Sequence, residues 1–280
     1  MRITHLLLAL ALIMGMVACG DEDTPGKGGS SERTVNTTML NHVVNNATGE
    51  VLVATTTNKL TFDTAAHTAS LELNYSDGST VHTISAPNLA ANPSRLGFYK
   101  LSMPSQNSQL TDLSGYIDFN ESAMRYAYTT SSGYRVISTL KEVYYLSTNT
   151  VLTYSDSTAS TTSEGTMYQF TINPTTMTAT VQVMMILDAQ DHKYFESITG
   201  RDVPVTATAT GYTVHGTDIE TTAIYRAYDG STGSSTMTSS KYPFNTFDAT
   251  LNLETETFEA SYKLAGRVTA KATGQTYSKY

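Results

Sequence analysis

One short pattern recurs along this chain and points to antiparallel β-structure. It opens with an apolar residue and an acid or amide. Three mostly polar residues follow, then an aromatic, Met or His, a spacer, and usually Ala. The copies run from Phe62-Asp63 to His67 and Ala69, from Phe119-Asn120 to Met124 and Tyr126, from Ile172-Asn173 to Met177 and Ala179, and from Leu253-Glu254 to Phe258 and Ala260. An Asp or Asn side chain closes an Asx-type turn on its own backbone, and Pro174 suits the next position because its φ is already fixed near about −65°. The copies are therefore expected to be hairpin corners with a structural role.

The segments between the corners alternate as half-buried strands do. Leu71-Glu72-Leu73-Asn74-Tyr75, Tyr168-Gln169-Phe170-Thr171-Ile172 and Val203-Pro204-Val205-Thr206-Ala207-Thr208-Ala209 each place apolar or β-branched side chains at every second position. The chain has 48 threonines and 18 tyrosines, while Leu, Glu, Lys and Arg are too sparse for long helix faces. Turn signals fall at Asp77-Gly78, Ser132-Gly133, Asp229-Gly230 and Thr273-Gly274. The expected class is all-β.

Similar residues also return at a spacing of 110 to 114 residues. Phe62 and Ile172, Ile84 and Ile198, Asp77 and Asp191, and Gly97-Phe98 and Gly211-Tyr212 stand at corresponding places. This predicts two tandem, related antiparallel β units, sandwich-like or barrel-like, over residues 40–155 and 156–280, with an insertion near 213–245 in the second. The competing arrangement is one large sandwich or barrel, which all-β chains of this length also form.

The N-terminus carries a different signal. Leu6 to Val17 is an apolar run too short to span a bilayer, preceded by Arg2 and His5, as in a cleaved signal peptide. Met14-Gly15-Met16-Val17-Ala18-Cys19-Gly20 resembles a bacterial lipobox, in which the cysteine is diacylated and becomes the first mature residue. Residues 1–18 are thus expected to be a lipoprotein signal and Cys19 a lipidation site. Cys19 is also the only cysteine in the chain, so it has no intrachain disulfide partner. Residues 19–39 are expected to form a flexible acidic and Gly/Ser tether. Asp21-Glu22-Asp23 resembles the export signal of Bacteroidota lipoproteins. Together these features resemble Bacteroidota cell-surface lipoproteins. The resemblance implies an outer-membrane location, with the protein held at the cell surface by palmitate-type acyl chains.

The partners expected are that membrane and a glycan or protein ligand. A formal charge of −8 disfavours nucleic acid. No phosphate loop, zinc-protease helix or nucleophile elbow is present, and no cofactor is expected. Asp112, Asp118, Glu121, Glu142 and Glu220 are carboxylates that a glycosidase could use, but sequence does not pair them. Asp188, Asp191 and His192 form the densest ligand-capable group and are weak metal candidates. Tyr126, Tyr128, Tyr144, Tyr145, Tyr225 and Tyr228 are candidate ligand-contact aromatics, since such rings offer large contact area at small entropy cost. Thr64 and Ser157 lie in triplets similar to the Bacteroidota O-glycosylation acceptor. The leading functional expectation is a non-catalytic surface binding or adhesion module. The alternatives are a fimbria-like subunit processed at Arg33-Thr34 and an envelope glycan hydrolase.

Overall fold

The computed structural model describes residues 32–104, 107–119, 123–156, 160–228 and 236–276, all of whose regular structure is β. The first unit comprises β1 (Glu32–Asn45), β2 (Val51–Asp63), β3 (Thr68–Ser76), β4 (Val81–Arg95), β5 (Phe98–Ser102), β6 (Leu110–Asp118), β7 (Ala123–Thr130) and β8 (Tyr134–Thr139). Each strand pairs antiparallel with the next, and β1 closes on β8, giving an eight-stranded barrel. The second unit contains β9 (Glu142–Tyr154), β10 (Ser160–Asn173), β11 (Thr178–Asp188), β12 (Lys193–Thr208), β13 (Gly211–Ile219), β14 (Thr221–Ala227), β15 (Met237–Ser239), β16 (Phe244–Asn252), β17 (Thr257–Leu264) and β18 (Val268–Thr276). Here β9 to β13 and β16 to β18 close a second ring through the β11–β12 and β18–β9 pairings, while β14 and β15 extend outward from β12.

Full closure leaves neither ring with a sheet edge along its whole length, and an eight-stranded barrel is just wide enough for its own side chains to fill. The interiors are packed accordingly. Leu60, Phe62, Leu71, Leu73, Tyr126 and Tyr128 contribute to the first core, and Tyr145, Tyr168, Phe170, Phe247, Phe258 and Tyr262 to the second. The period-2 alternation decides which residues these are. In β3, for example, Ala69, Leu71, Leu73 and Tyr75 are buried while Glu72 is exposed. Burying each such aliphatic or aromatic side chain contributes on the order of 1.5–3 kcal/mol.

The two units are therefore separate barrels, and the internal repeat is structural. Phe62 and Ile172 are the penultimate residues of β2 and β10. Ile84 and Ile198 lie on β4 and β12, Asp77 and Asp191 in the turns before them, and Gly97 and Gly211 in or at the end of the turns after. The inserted part of the second repeat includes β14 and β15. Two boundaries and one turn differ from expectation. The units meet at Leu140-Lys141, not between 155 and 156, because β9 pairs with β10 and β18 and so belongs to the second ring. Residues 32–39 are strand rather than tether, since Glu32 to Met39 pair in register with Asp63 to Thr56. Gly274, read as part of a turn, lies inside β18 opposite Phe258. Asp229-Gly230 falls outside the described residues.

The corners are four-residue loops closed by an Asx side chain. Asp63 Oδ1 accepts the N–H groups of Ala65 and Ala66, and Asn173 Oδ1 accepts that of Thr175. The C-terminal copy sits two residues earlier than expected: Asn252, not Glu254, accepts the N–H groups of Glu254 and Thr255. Two further corners share the device, at Asn45 and at Asp188. The fourth residue after the closing side chain turns left-handed in all five: Gly49, His67, Met177, His192 and Glu256 have φ between 49° and 74°. That position accepts non-glycine residues only with strain, so the closing hydrogen bonds hold it in place.

Candidate functional site

The insertion builds an open cleft on the second barrel. Strand β12 is 16 residues long and pairs with two partners on the same side in succession. Its first half runs along β14 as far as Gly200↔Thr221, and its second half runs along β13 from Val205↔Val214. Between these pairings the chain bulges on both strands, with Asp202 at φ 54° and Asp218 at φ 49°. Asp is one of the few residues that reach this region at low cost, because its short side chain can bond locally. Strand β14 leaves the barrel wall at this bend, and a cleft of about 960 Å³ opens beside it.

Two glycines shape the floor. A Cβ on Gly200 would stand 3.0 Å from Ile219 Cγ2, and one on Gly216 would stand 2.9 Å from Ile219 Cδ1. Their absence lets Ile219 sink between β12 and β13, where it forms an apolar base with Pro204 and Pro243. Thr221 Oγ1 donates to the Tyr242 carbonyl at 2.5 Å and pins the start of β14 against the segment leading into β16. The rim is polar. Arg201, Asp202, Glu220 and Thr222 are exposed around it, with Ser240 beside them.

His215 stands at the edge of this cleft, and its Nδ1 lies 2.6 Å from Asp248 Oδ1. The same histidine borders a shallower hollow of about 700 Å³ over the outer faces of β13, β16, β17, β18 and β9. Thr213, Thr250, Glu259, Lys271 and Thr273 line it. The two hollows meet at His215, and neither is lined by tyrosine or phenylalanine. Hydroxyls, carboxylates and cationic groups arranged this way can hydrogen-bond a polyhydroxylated or amide-bearing ligand.

The aromatics singled out from sequence do not form this surface. Tyr126 and Tyr128 fill the first barrel and Tyr145 the second, where its ring lies 5.0 Å from Phe258. Their i, i+2 spacing puts Tyr126 and Tyr128 on one face of β7, and that face is the interior. Burial pushes the Tyr126 and Tyr145 hydroxyls far above the ordinary phenol range, so they remain neutral. Tyr225, on β14, forms a cluster with Phe195 and Tyr242 and is half-buried there. Tyr144 is half-buried beside its cross-strand partner Gln169, and Tyr228 alone of the six is exposed.

Asp188, Asp191 and His192 belong to a hairpin corner tied down by cations. Asp188 is buried and accepts from Tyr154 Oη at 2.8 Å and from the Asp191 N–H, while Arg267 reaches both Asp188 and Asp191. Partial burial opposes the charge on Asp191, yet Lys193 and Arg267 together hold its carboxyl below the usual carboxylate range. Two carboxylates facing two cations leave no charge surplus to attract a metal, and among the described residues no group of three metal-ligating side chains converges.

The other candidates disperse. Asp118 is buried with Arg95 at 2.8 Å, Asp112 accepts the Thr129 N–H, and Glu142 begins β9. Of the candidates among the described residues only Glu220 reaches the cleft, where Asp202 is the other lining carboxylate. Thr64 occupies the β2–β3 corner. Cys19, Glu121 and Ser157 lie outside the described residues. Sequence reading missed Gly200, Asp202, Gly216 and Asp218, although a signal was present. Gly200-Arg201-Asp202 and Gly216-Thr217-Asp218 repeat one Gly-X-Asp triplet beside the insertion.

No protein-family model matches the chain, and no curated protein matches it. Among solved structures it is similar to the isotype 1 transferrin binding protein B from serogroup B Neisseria meningitidis. That likeness has 7% sequence identity and a TM-score of 0.24, and covers 88% of this chain and 77% of the other. A likeness this remote transfers neither a partner nor a site residue.

Proposed function

We propose that this chain is a lipid-anchored envelope protein, displayed at the cell surface, whose second barrel is a non-catalytic binding module. The observation that carries the binding role is the cleft that the β14–β15 insertion adds to an otherwise repeated barrel. The first barrel has the matching bulge, with Asn88 on β4 at φ 56°, but among the described residues no strand extends from it. The bulge is shared scaffold; among the described residues the strands that border the cleft belong to the second repeat. Its hydroxyl-rich and mixed-charge rim suits a surface glycan or an extended protein segment. Asp202 and Glu220 are both solvent-exposed, which is the setting of ligand-contacting carboxylates more than of a shielded general acid. The Arg33-Thr34 bond lies within paired β1, so cleavage there requires that strand to peel from β2, which favours the binding role over a processed fimbrial subunit.

The chain from Gly20 onward should bind one class of ligand on glycan and matrix-protein arrays. Converting Arg201 and Glu220 together to Ala should weaken that binding at least about tenfold, the equivalent of some 1.4 kcal/mol, without shifting the melting temperature. Binding that survives the double substitution unchanged would place the ligand elsewhere, and turnover of a bound glycan would establish a hydrolase. The anchor is tested separately. Cys19→Ala should move the protein from the membrane to the soluble fraction while leaving its fold intact, and an unchanged membrane fraction would rule the acyl anchor out.

A further inference from the structure

The two barrels do not merely follow one another. Leu40 on β1 and Ile137 on β8 point away from the first barrel and complete the core of the second. Around this apolar contact runs a polar seam. Arg125 on β7 donates to the Leu253 carbonyl at 2.8 Å, and its Nε lies 4.0 Å from Glu256. Arg135 on β8 pairs with Glu254. The centre of the seam is His42 on β1, which is 1% exposed. Its Nε2 lies 2.7 Å from the carbonyl of Thr208 at the end of β12, so this nitrogen carries the proton and donates. Its Nδ1 is buried with no hydrogen-bond partner, and the ring meets Tyr212 of β13 edge-on at 5.4 Å.

We infer that this seam is an acid-sensitive latch, in which a proton taken up by His42 loosens the docking of the β12–β13 hairpin on the first barrel. The neutral ring already makes its hydrogen bond to the Thr208 carbonyl. A second proton must go to Nδ1, placing a full charge where water is excluded. The charged groups facing the ring are Arg135 from β8 and Glu254 from the β16–β17 corner, already paired with each other; Tyr212 is the titratable group from β13. Desolvation holds the imidazole below its ordinary value of 6.5. The carbonyls of Thr208 and Gly211 favour the charged ring and Arg135 opposes it, but burial dominates.

The sign follows from linkage. A histidine whose docked value is depressed binds fewer protons when docked than when released, so docking is at full strength above pH 6.5 and weakens as pH falls. Between 6.5 and the lower docked value the ratio of opened to docked molecules rises by up to about tenfold per pH unit, then levels off. The latch does not depend on what occupies the cleft.

The test is an NMR titration of the intact chain from about pH 7.5 to about pH 5, spanning the ordinary imidazole range. The His42 imidazole should titrate below 6.5. Exchange of the Thr210, Gly211 and Tyr212 amides, normalised to their intrinsic rates, should accelerate by up to about tenfold per pH unit over the same interval. His42→Gln keeps an amide donor towards Thr208 without a titrating proton, and its seam amides should stay protected across the range. A His42 ring that titrates at or above 6.5, or a His42→Gln protein that loosens as the wild type does, would overturn the latch. If His42→Gln does not fold, the wild-type ring titration and exchange profile decide the question alone.

Discussion

Gly274→Val is expected to prevent the second barrel from folding. Gly274 sits on β18 opposite Phe258, at a register irregularity between β18 and β9. A Cβ there would stand 2.2 Å from the Leu146 carbonyl oxygen on β9 and 2.5 Å from Phe258 Cε1. Neither neighbour can yield. The first is strand backbone, and the second is a buried ring lying 4.8 Å from Tyr168 and 5.0 Å from Tyr145. Relieving the clash means either breaking the strand pairing that closes the ring or expelling the centre of the aromatic core. Either exceeds ordinary overpacking of about 1–3 kcal/mol, and a loss above about 4 kcal/mol removes much of a domain's total stability of roughly 5–15 kcal/mol. Soluble yield and circular-dichroism melting would show it. Gly49→Asn is the control, because that glycine is left-handed at φ 74°, a Cβ added to it meets nothing within 4 Å, and asparagine tolerates that region. A Gly274→Val protein that melts within a few degrees of wild type would refute the account.

Gly274 also shows where sequence reading stops. Glycine after threonine looks like a turn, and nothing local says that another backbone passes within van der Waals distance. Alternation, by contrast, is local, so β-structure, the repeated halves and most hairpin corners were legible. Closure was not: whether β1 meets β8 depends on tilt and stagger summed around eight strands, which no single segment encodes. Tyr126 and Tyr128 illustrate the same limit. Their spacing fixes a shared face of β7, but only the closed ring says that the face is interior. The Ser155-to-Ser163 stretch has linker composition yet contains the β9–β10 turn and the start of β10, because threonine and serine serve as well in a strand as in a tether. The cleft was hidden for a further reason. It arises where β13 gives way to β14 along β12, so its residues are joined by register across strands rather than by proximity in sequence.

Asn41→Ala should destabilise the first barrel by about 3 kcal/mol or more, and Asn41→Leu should recover little of the loss. Asn41 is fully buried on β1. Its Nδ2 donates to Thr56 Oγ1 on β2 at 2.6 Å and to the Asn74 carbonyl on β3 at 3.0 Å, and its Oδ1 accepts from Ser138 on β8 at 2.6 Å. Thr56 Oγ1 donates in turn to the same Asn74 carbonyl, and Asn58 Oδ1 accepts the Asn74 N–H at 2.7 Å. The network has a definite task. Register between β2 and β3 runs only from Asp63↔Thr68 to Lys59↔Glu72, so beyond that point the Asn74 backbone has no ladder partner on β2. Side chains from β1 and β2 take the place of the missing ladder. An apolar replacement fills the volume but leaves the Ser138 hydroxyl and part of the Thr56 and Asn74 set without their partner inside a barrel that excludes water, and each such buried group costs about 1–3 kcal/mol. Thermal melting followed by residue-resolved hydrogen exchange should show β1 to β8 losing protection before β9 to β18. Equal stability of Asn41→Leu and wild type would mean that strand pairing and packing close the first barrel unaided.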